Sequence, residues 1–348
     1  MKIVNNIFKR KKPENVLEEV TLGSFPDFTK KEIFTQGELI DKLLNRYIKA
    51  DKINFDSLKI KLNKIKRIYV TGSGIDYSCA VFGAYNLEVL ADVISVPISN
   101  GEFIYSNPIL DKNTLVISLS DDSTVEKRAL ATGARLIKIV DFCDNKSHIS
   151  LDWKALGEFE TATYTLKLTA IAMLCLYFGE KNQIITALYS KIAMQMLREL
   201  SKSIKRILSQ EFIIKETAVT LDYDDMVITG TNVDYAIAIY ASRIFSKFSE
   251  KPIPAIPLSE LYTVENKYTP LAFASNTDFY SLLNTESDYQ LIITPSNIGN
   301  NMNALVYEEV LPLLNPILSG VAAQLLAYCK GKDMPQTDTD SSDSLENL

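Results

Sequence analysis

The chain has 348 residues, 47% hydrophobic and 23% charged, with a formal net charge of −6. That length supports about two domains, each able to bury a core, and the composition is that of a soluble globular protein. The negative balance gives no electrostatic reason to expect nucleic acid or an anionic membrane as partner, no apolar run reaches the roughly 18 residues of a membrane span, and residues 1–14 lack the apolar segment of a signal peptide.

Four cysteines (Cys79, Cys143, Cys175, Cys329) are scattered without CxxC spacing. Three lie in apolar runs, which suits buried thiols in a reducing, cytoplasmic compartment. The basic cluster Lys9 to Lys12 reads as a solvated terminus. Residues 29–48 place apolar groups at helical spacing, so an amphipathic helix is expected there. Gly37 is expected to split it.

Residues 68–80 organise the rest. A β-branched and aromatic run suits a buried parallel strand. It breaks at Gly72 and Gly74, which permit a tight turn. Asp76 then reads as the N-cap of an apolar helix over 77–90. Strand, glycine turn and helix N-terminus together present backbone N–H groups to an anion. Strands follow at 93–97, 114–120 and 135–140, with helices at 100–105 and 124–132. This alternation predicts a parallel sheet with helices on both faces. Ligands of such sheets bind beyond the carboxyl ends of the strands, here 72–76 and 120–124.

Residues 166–178 and 184–208 read as helices that carry the chain onward. The opening pattern then returns: Thr71, Gly72, Asp76, Tyr77 and Ala80 recur at one constant offset as Thr229, Gly230, Asp234, Tyr235 and Ala238, and Ile98 and Glu102 as Ile256 and Glu260. A constant offset argues for duplicated βα units. In the second unit a strand is expected at 226–230, a helix at 234–248, a proline-bearing edge strand at 252–257 and a helix or turn at 258–264. Strands at 279–283 and 289–294 are too close for a parallel crossover, so this unit has lost a helix or forms a hairpin there. A last strand at 305–310, a closing helix at 316–330 and an Asp/Ser-rich mobile tail complete the chain.

These residues resemble the sugar isomerase (SIS) domain family, most closely the isomerase half of glutamine–fructose-6-phosphate aminotransferase. Lys31-Glu32-Ile33-Phe34-Thr35-Gln36 is similar to that family's Lys-Glu-Ile-Phe-Glu-Gln, and Glu102-Phe103-Ile104-Tyr105 to its Glu-Phe-Arg-Tyr. Glu160 and Lys167 keep the spacing of its Glu-Ile-Gly-Val-Ala-Ser-Thr-Lys, and Lys330-Gly331-Lys332-Asp333 is similar to its Lys-Gly-Thr-Asp. The resemblance implies an α/β chain of two flavodoxin-like, three-layer αβα SIS subdomains with central parallel sheets, the second one reduced. It implies an arm and helix over 1–50, a first SIS domain over 51–180, a connecting helix over 181–210, a second SIS domain over 211–330 and an acidic tail over 331–348. It also implies a homodimer and a sugar-phosphate or amino-sugar ligand. No cofactor and no metal are expected.

The departures from the family are as informative. Its phosphate loop reads Ser-Gln-Ser-Gly-Glu-Thr, whereas this chain has Ser120-Asp121-Asp122-Ser123-Thr124-Val125. Two like charges about 4 Å apart cost roughly 4 kcal/mol at an effective dielectric of 20, which a phosphate beside either aspartate would meet. Two adjacent aspartates could instead hold Mg²⁺, or one could cap the next helix while its neighbour is solvated. The expected ligand-binding set is Gly72, Ser73, Gly74, Ser120, Asp121, Asp122, Ser123, Thr124 and Lys167.

Isomerisation needs a positioned base and a ring-opening acid. The resemblance puts Tyr240, Ile244 and Lys247 where the family has Glu, Lys and Glu, and Thr263 where it has a histidine. Ser342 falls where it has a C-terminal lysine. Glu260 survives, and Glu265, Lys267 and Tyr268 are candidate substitutes for the missing acid–base set. A dinucleotide fingerprint fails for want of its third glycine and of an acidic residue ending the second strand. Nucleophilic hydrolysis has only His148 available as a histidine base. Two functions stay open: a SIS enzyme on a hexose phosphate with a rearranged site, or a non-catalytic SIS protein serving as a sugar sensor or partner subunit.

Overall fold

The computed structural model describes residues 21–261, 268–276, 289–295 and 303–333. Helix α1 (Phe28–Tyr47) leads into a short antiparallel ribbon, β1 (Ile48–Lys49) and β2 (Lys52–Ile53). The first unit comprises β3 (Arg67–Gly72), α2 (Ile75–Ala91), β4 (Ile94–Ser99), α3 (Asn100–Tyr105), β5 (Thr114–Ser118), α4 (Ser123–Ala131), β6 (Arg135–Val140) and β7 (Ile149–Ser150). Helices α5 (Thr161–Lys181), α6 (Ala187–Leu208) and α7 (Glu211–Thr220) follow. The second unit comprises β8 (Met226–Gly230), α8 (Val233–Ser249), β9 (Ala255–Pro257), α9 (Leu258–Leu261), β10 (Thr269–Phe273), β11 (Leu291–Thr294), β12 (Ala304–Val306) and α10 (Asn315–Asp333).

Both sheets are parallel and five-stranded, in the orders β4-β3-β5-β6-β7 and β9-β8-β10-β11-β12. The same spatial order is thus built twice. The reduction expected of the second unit shows in its edge strand: β9 has three residues against six in its counterpart β4. Strand β11 pairs in parallel with β10 on one side and β12 on the other, which leaves it no free edge for the antiparallel hairpin considered as an alternative. Strand β10 escapes the sequence pattern because Pro270 argues against a central strand; it is tolerated as the second residue of that strand. The expected strand at 279–283 and the tail beyond 333 lie outside the described residues.

Two further expectations are corrected. Helix α1 is continuous through Gly37, where an added Cβ would stand 3.1 Å from Ser201 Oγ; the glycine lets α1 and α6 approach closely. Asp76 is not the N-cap of α2. That position is Gly74, in the left-handed half of backbone space at φ 62°. Its counterpart before α8 is Asn232 at φ 58°. Asn tolerates positive φ better than most residues, so one turn geometry opens both units.

Helix α5 is apolar on nearly all sides, which fits a helix surrounded by protein. It is long and apolar enough to cross a membrane, yet 94% of the relevant window is buried inside the protein. Helix α2 packs on both α5 and α8, so the units share one apolar core. Tyr164 of α5 stacks on Tyr240 of α8 with ring centroids 3.4 Å apart. The buried Gln324 amide of α10 donates toward Tyr240 Oη, Thr165 Oγ1 and the Thr161 carbonyl at 3.0–3.1 Å, and its Oε1 accepts from Gln36 of α1. One side chain therefore ties four helices together.

The glycines that end β3 and β8 are sterically required. A Cβ on either Gly72 or Gly230 would fall 2.6 Å from atoms of Asp76 or Asp234. Gly72→Ala and Gly230→Ala are each expected to lose about 1–3 kcal/mol in urea denaturation. Gly101→Ala, in open space within α3, is expected to be neutral or to gain up to about 1 kcal/mol.

Candidate functional site

A cavity of about 680 Å³ opens beyond the carboxyl ends of β3, β5 and β6. The start of α2 contributes Asp76, and the loop after β5 contributes Ser120 and Asp121. The loop after β6 adds Asp141, the approach to α5 adds Lys154 and Glu160, and α5 itself adds Thr163 and Lys167. This is where an open parallel sheet places its ligands.

The floor is a buried ion pair. Lys167 Nζ lies 2.5 Å from Asp76 Oδ1, and the two side chains are only 7% and 12% exposed. Burial works against the Lys167 ammonium, but the adjacent carboxylate outweighs it and holds the lysine's pKa above its ordinary value. Burial pushes the Asp76 carboxyl up against the pull of Lys167.

The loop after β5 is wired to its neighbours through Asn100. Its Oδ1 accepts from Thr71 Oγ1 at 2.5 Å, and its Nδ2 donates to Ser120 Oγ at 2.9 Å and Asp122 Oδ2 at 3.3 Å. Asp122 is the N-cap of α4, its Oδ1 accepting from the N–H groups of Thr124 and Val125 at 2.8 and 3.3 Å. The side chain of Asp121 turns instead to Lys138 Nζ at 2.8 Å. The two aspartates thus do not converge on one point, and the described residues hold no group of three or more carboxylate, histidine or cysteine side chains fit for a metal ion. Ser123 and Thr124 begin α4, while Ser73 and Gly74 form the turn into α2.

Glu32 fills the N-terminus of α5. Its carboxylate accepts from the N–H groups of Leu156, Gly157 and Thr161 and from Thr161 Oγ1. This accounts for the glutamate in the Lys31–Gln36 stretch; Asn100, Glu32, Asp141 and Thr163 were not singled out as site residues from the sequence. Their roles depend on partners distant in the chain, which no local spacing reveals.

Of the expected acid–base set, Glu260 and Tyr268 are among the described residues, and they stand at opposite edges of the second sheet. Glu260 is exposed on α9, just past the carboxyl end of β9. Tyr268, 40% exposed, immediately precedes β10 and so sits at the amino edge of the same parallel sheet. Glu265 and Lys267 lie outside the described residues. His148 is half-buried and accepts at Nδ1 from the Lys138 N–H at 3.2 Å. Three of the four cysteines are buried, and no two of the four are joined in a disulfide.

Residues 61–148 match the family model described as the SIS domain. The likeness to that family falls on the first unit of the chain. Over 341 residues it is 28% identical to glutamine–fructose-6-phosphate aminotransferase (isomerizing) of Clostridium acetobutylicum, covering 88% of this chain and 56% of that protein. The Clostridium tetani enzyme of the same name is also 28% identical, with the same coverage. The chain therefore spans about half the length of the curated relatives it matches. Its fold is that of the C-terminal domain of glucosamine-fructose-6-phosphate aminotransferase from Francisella tularensis, with a TM-score of 0.80 at 16% identity over 90% of this chain and 98% of that one. Tagatose-6-phosphate ketose/aldose isomerase from Escherichia coli is similar too, with a TM-score of 0.66 at 14% identity over 88% and 94%. The likeness in fold spans both parallel sheets of the chain.

The second sheet repeats the buried aspartate without its lysine. Asp234 Oδ2 accepts from the Ser275 N–H at 2.9 Å, and Oδ1 has no hydrogen-bond partner. Burial pushes this carboxyl up to about 6 from an ordinary 3.8. Between those two pH values the folded chain holds a proton that the unfolded chain has released, so this group's contribution to stability falls as pH rises through that window. Asp234→Asn is expected to match the parent near pH 4 and to exceed its stability by about 3 kcal/mol at pH 7, read from urea midpoints. In the first sheet, Lys167→Met should lose about 3–5 kcal/mol by stranding Asp76, and adding Asp76→Asn should restore most of it.

Proposed function

We propose that the chain binds a carbohydrate derivative in the cleft above the first sheet and does not isomerise it. The observation that carries this is the face of α8. The resemblance assigns the family's Glu, Lys and Glu, which include its base, to the positions of Tyr240, Ile244 and Lys247. Here Tyr240 is fully buried, stacked on Tyr164 and hydrogen-bonded to Gln324. Ile244 is 3% exposed within the core. Lys247, at the third position, donates to the Glu158 carbonyl on the surface. Groups committed to packing cannot shuttle a proton at a sugar carbon.

A carbohydrate site is supported by the cavity's place beyond the strand ends, its size, and its lining of hydroxyl, carboxylate and ammonium groups. The competing reading is an isomerase with relocated acid–base groups. It has in its favour Asp141, whose carboxyl burial holds above the ordinary range, and Glu160 across the same cleft.

The two readings separate in one experiment. Fructose-6-phosphate and glucosamine-6-phosphate are incubated with the protein in D₂O and followed by proton NMR, while a panel of hexoses and hexosamines, with and without phosphate, is screened by thermal shift. The expected result is no exchange at the first two carbons, with at least one sugar raising Tm. At a hundredfold excess over Kd the stabilisation is about 2.7 kcal/mol, a shift of a few degrees. Exchange above the protein-free rate would restore the enzyme reading.

A further inference from the structure

Several of the donors around the cleft that could hold a phosphate are engaged by the chain's own carboxylates; the exposed ammonium of Lys154 is not among them. The first N–H groups of α4 are bonded to Asp122. Those leading into α5 are bonded to Glu32. Lys167 is paired with Asp76, and Lys138 with Asp121 and Glu126. The start of α2 carries Asp76 in its first turn, so an anion approaching there meets a carboxylate. A helix N-terminus attracts anions through its unsatisfied N–H groups and dipole, and a carboxylate already seated there removes both attractions.

The polar groups left facing the cleft point to a different ligand. Thr163 lines it, is 3% exposed, and its Oγ1 has no hydrogen-bond partner. Its neighbours Thr165 and Thr169 instead turn their hydroxyls back to carbonyls one helical turn earlier, at 3.2 and 2.8 Å. Buried hydroxyls are nearly always satisfied, so an orphan at a cavity wall marks a contact that a ligand or bound water completes. Asp141 and Glu160 also line the cleft, and neither carboxylate forms an ion pair among the described residues. Against them stands the exposed ammonium of Lys154.

We propose that the cleft takes an unphosphorylated amino sugar, its ammonium set against Asp141 and Glu160 and one hydroxyl bonded to Thr163. The proposal rests on the reading of this cleft as a carbohydrate site and names its ligand class. Selectivity arises from repulsion as much as attraction: the internal carboxylates oppose a phosphate, and the free ones favour a cation.

Calorimetric titration tests this with glucosamine, glucose, glucosamine-6-phosphate and inorganic phosphate on the full chain. Glucosamine is expected to bind at least tenfold tighter than glucose or glucosamine-6-phosphate, and inorganic phosphate not at all. Asp141→Asn should lower glucosamine affinity about tenfold, to the level of glucose, which itself should be unaffected. Thr163→Val should weaken both sugars several-fold. Asp122→Ser keeps a capping oxygen on α4 but removes its charge, and should strengthen glucosamine-6-phosphate binding about tenfold. Tighter binding of glucosamine-6-phosphate than of glucosamine by the unaltered protein overturns the ligand class and leaves the carbohydrate site standing. Absence of binding by every sugar overturns the site and the ligand class together.

Discussion

Both halves of this chain depend on one close approach. A glycine ends the first strand of each sheet, and the following helix begins directly over it, with an aspartate in its first turn packed where a Cβ would otherwise sit. That contact fixes the angle at which α2 leaves β3 and α8 leaves β8. These two helices then pack on one another and close the core between the units. A buried carboxylate is unfavourable unless compensated, and the halves compensate differently. The first recruits Lys167 from α5. The second offers a backbone N–H from Ser275 and leaves one oxygen unpartnered, so burial makes the neutral acid the favoured form.

The same economy of carboxylates shapes the cleft. A parallel sheet with helices starting at its carboxyl edge presents positive helix ends by construction. In this chain Asp122 and Glu32 cap two of those ends from within. Internal capping rigidifies the rim, because Asn100 joins β3, the loop after β5 and the α4 cap into one network. It also leaves a cavity whose polar groups outside that network include a hydroxyl, two carboxylates and the Lys154 ammonium. Carboxylates therefore occupy donors that the backbone of such a sheet would otherwise offer to an anion.

Much of the fold was legible in the sequence. The apolar β-branched runs gave the strands of the first sheet, and the constant offset between the two glycine turns gave the duplication. Pro270 hid a central strand, and β7, with two residues, is too short to carry any period. The N-cap role of Asp122 was among the readings of its loop, because an aspartate just before a helical run has a local reason to cap. Asp76 misled for the same cause: it stands where a cap would stand, but its partner lies on α5. Tyr240 and Ile244 showed as departures from the family pattern, yet only packing reveals that they are core rather than a remodelled site.

By itself the sequence determined which segments become strands and helices, that one βα unit occurs twice, and that the loop after β5 carries carboxylates, since each is a matter of residues a few positions apart. Tertiary structure alone decided where those carboxylates point, that Lys167 pairs with Asp76, that Glu32 closes α5 and that Thr163, with its hydroxyl unpartnered, lines the cleft. These contacts join residues far apart in the chain, and their energies depend on burial and geometry that exist only once the helices have packed.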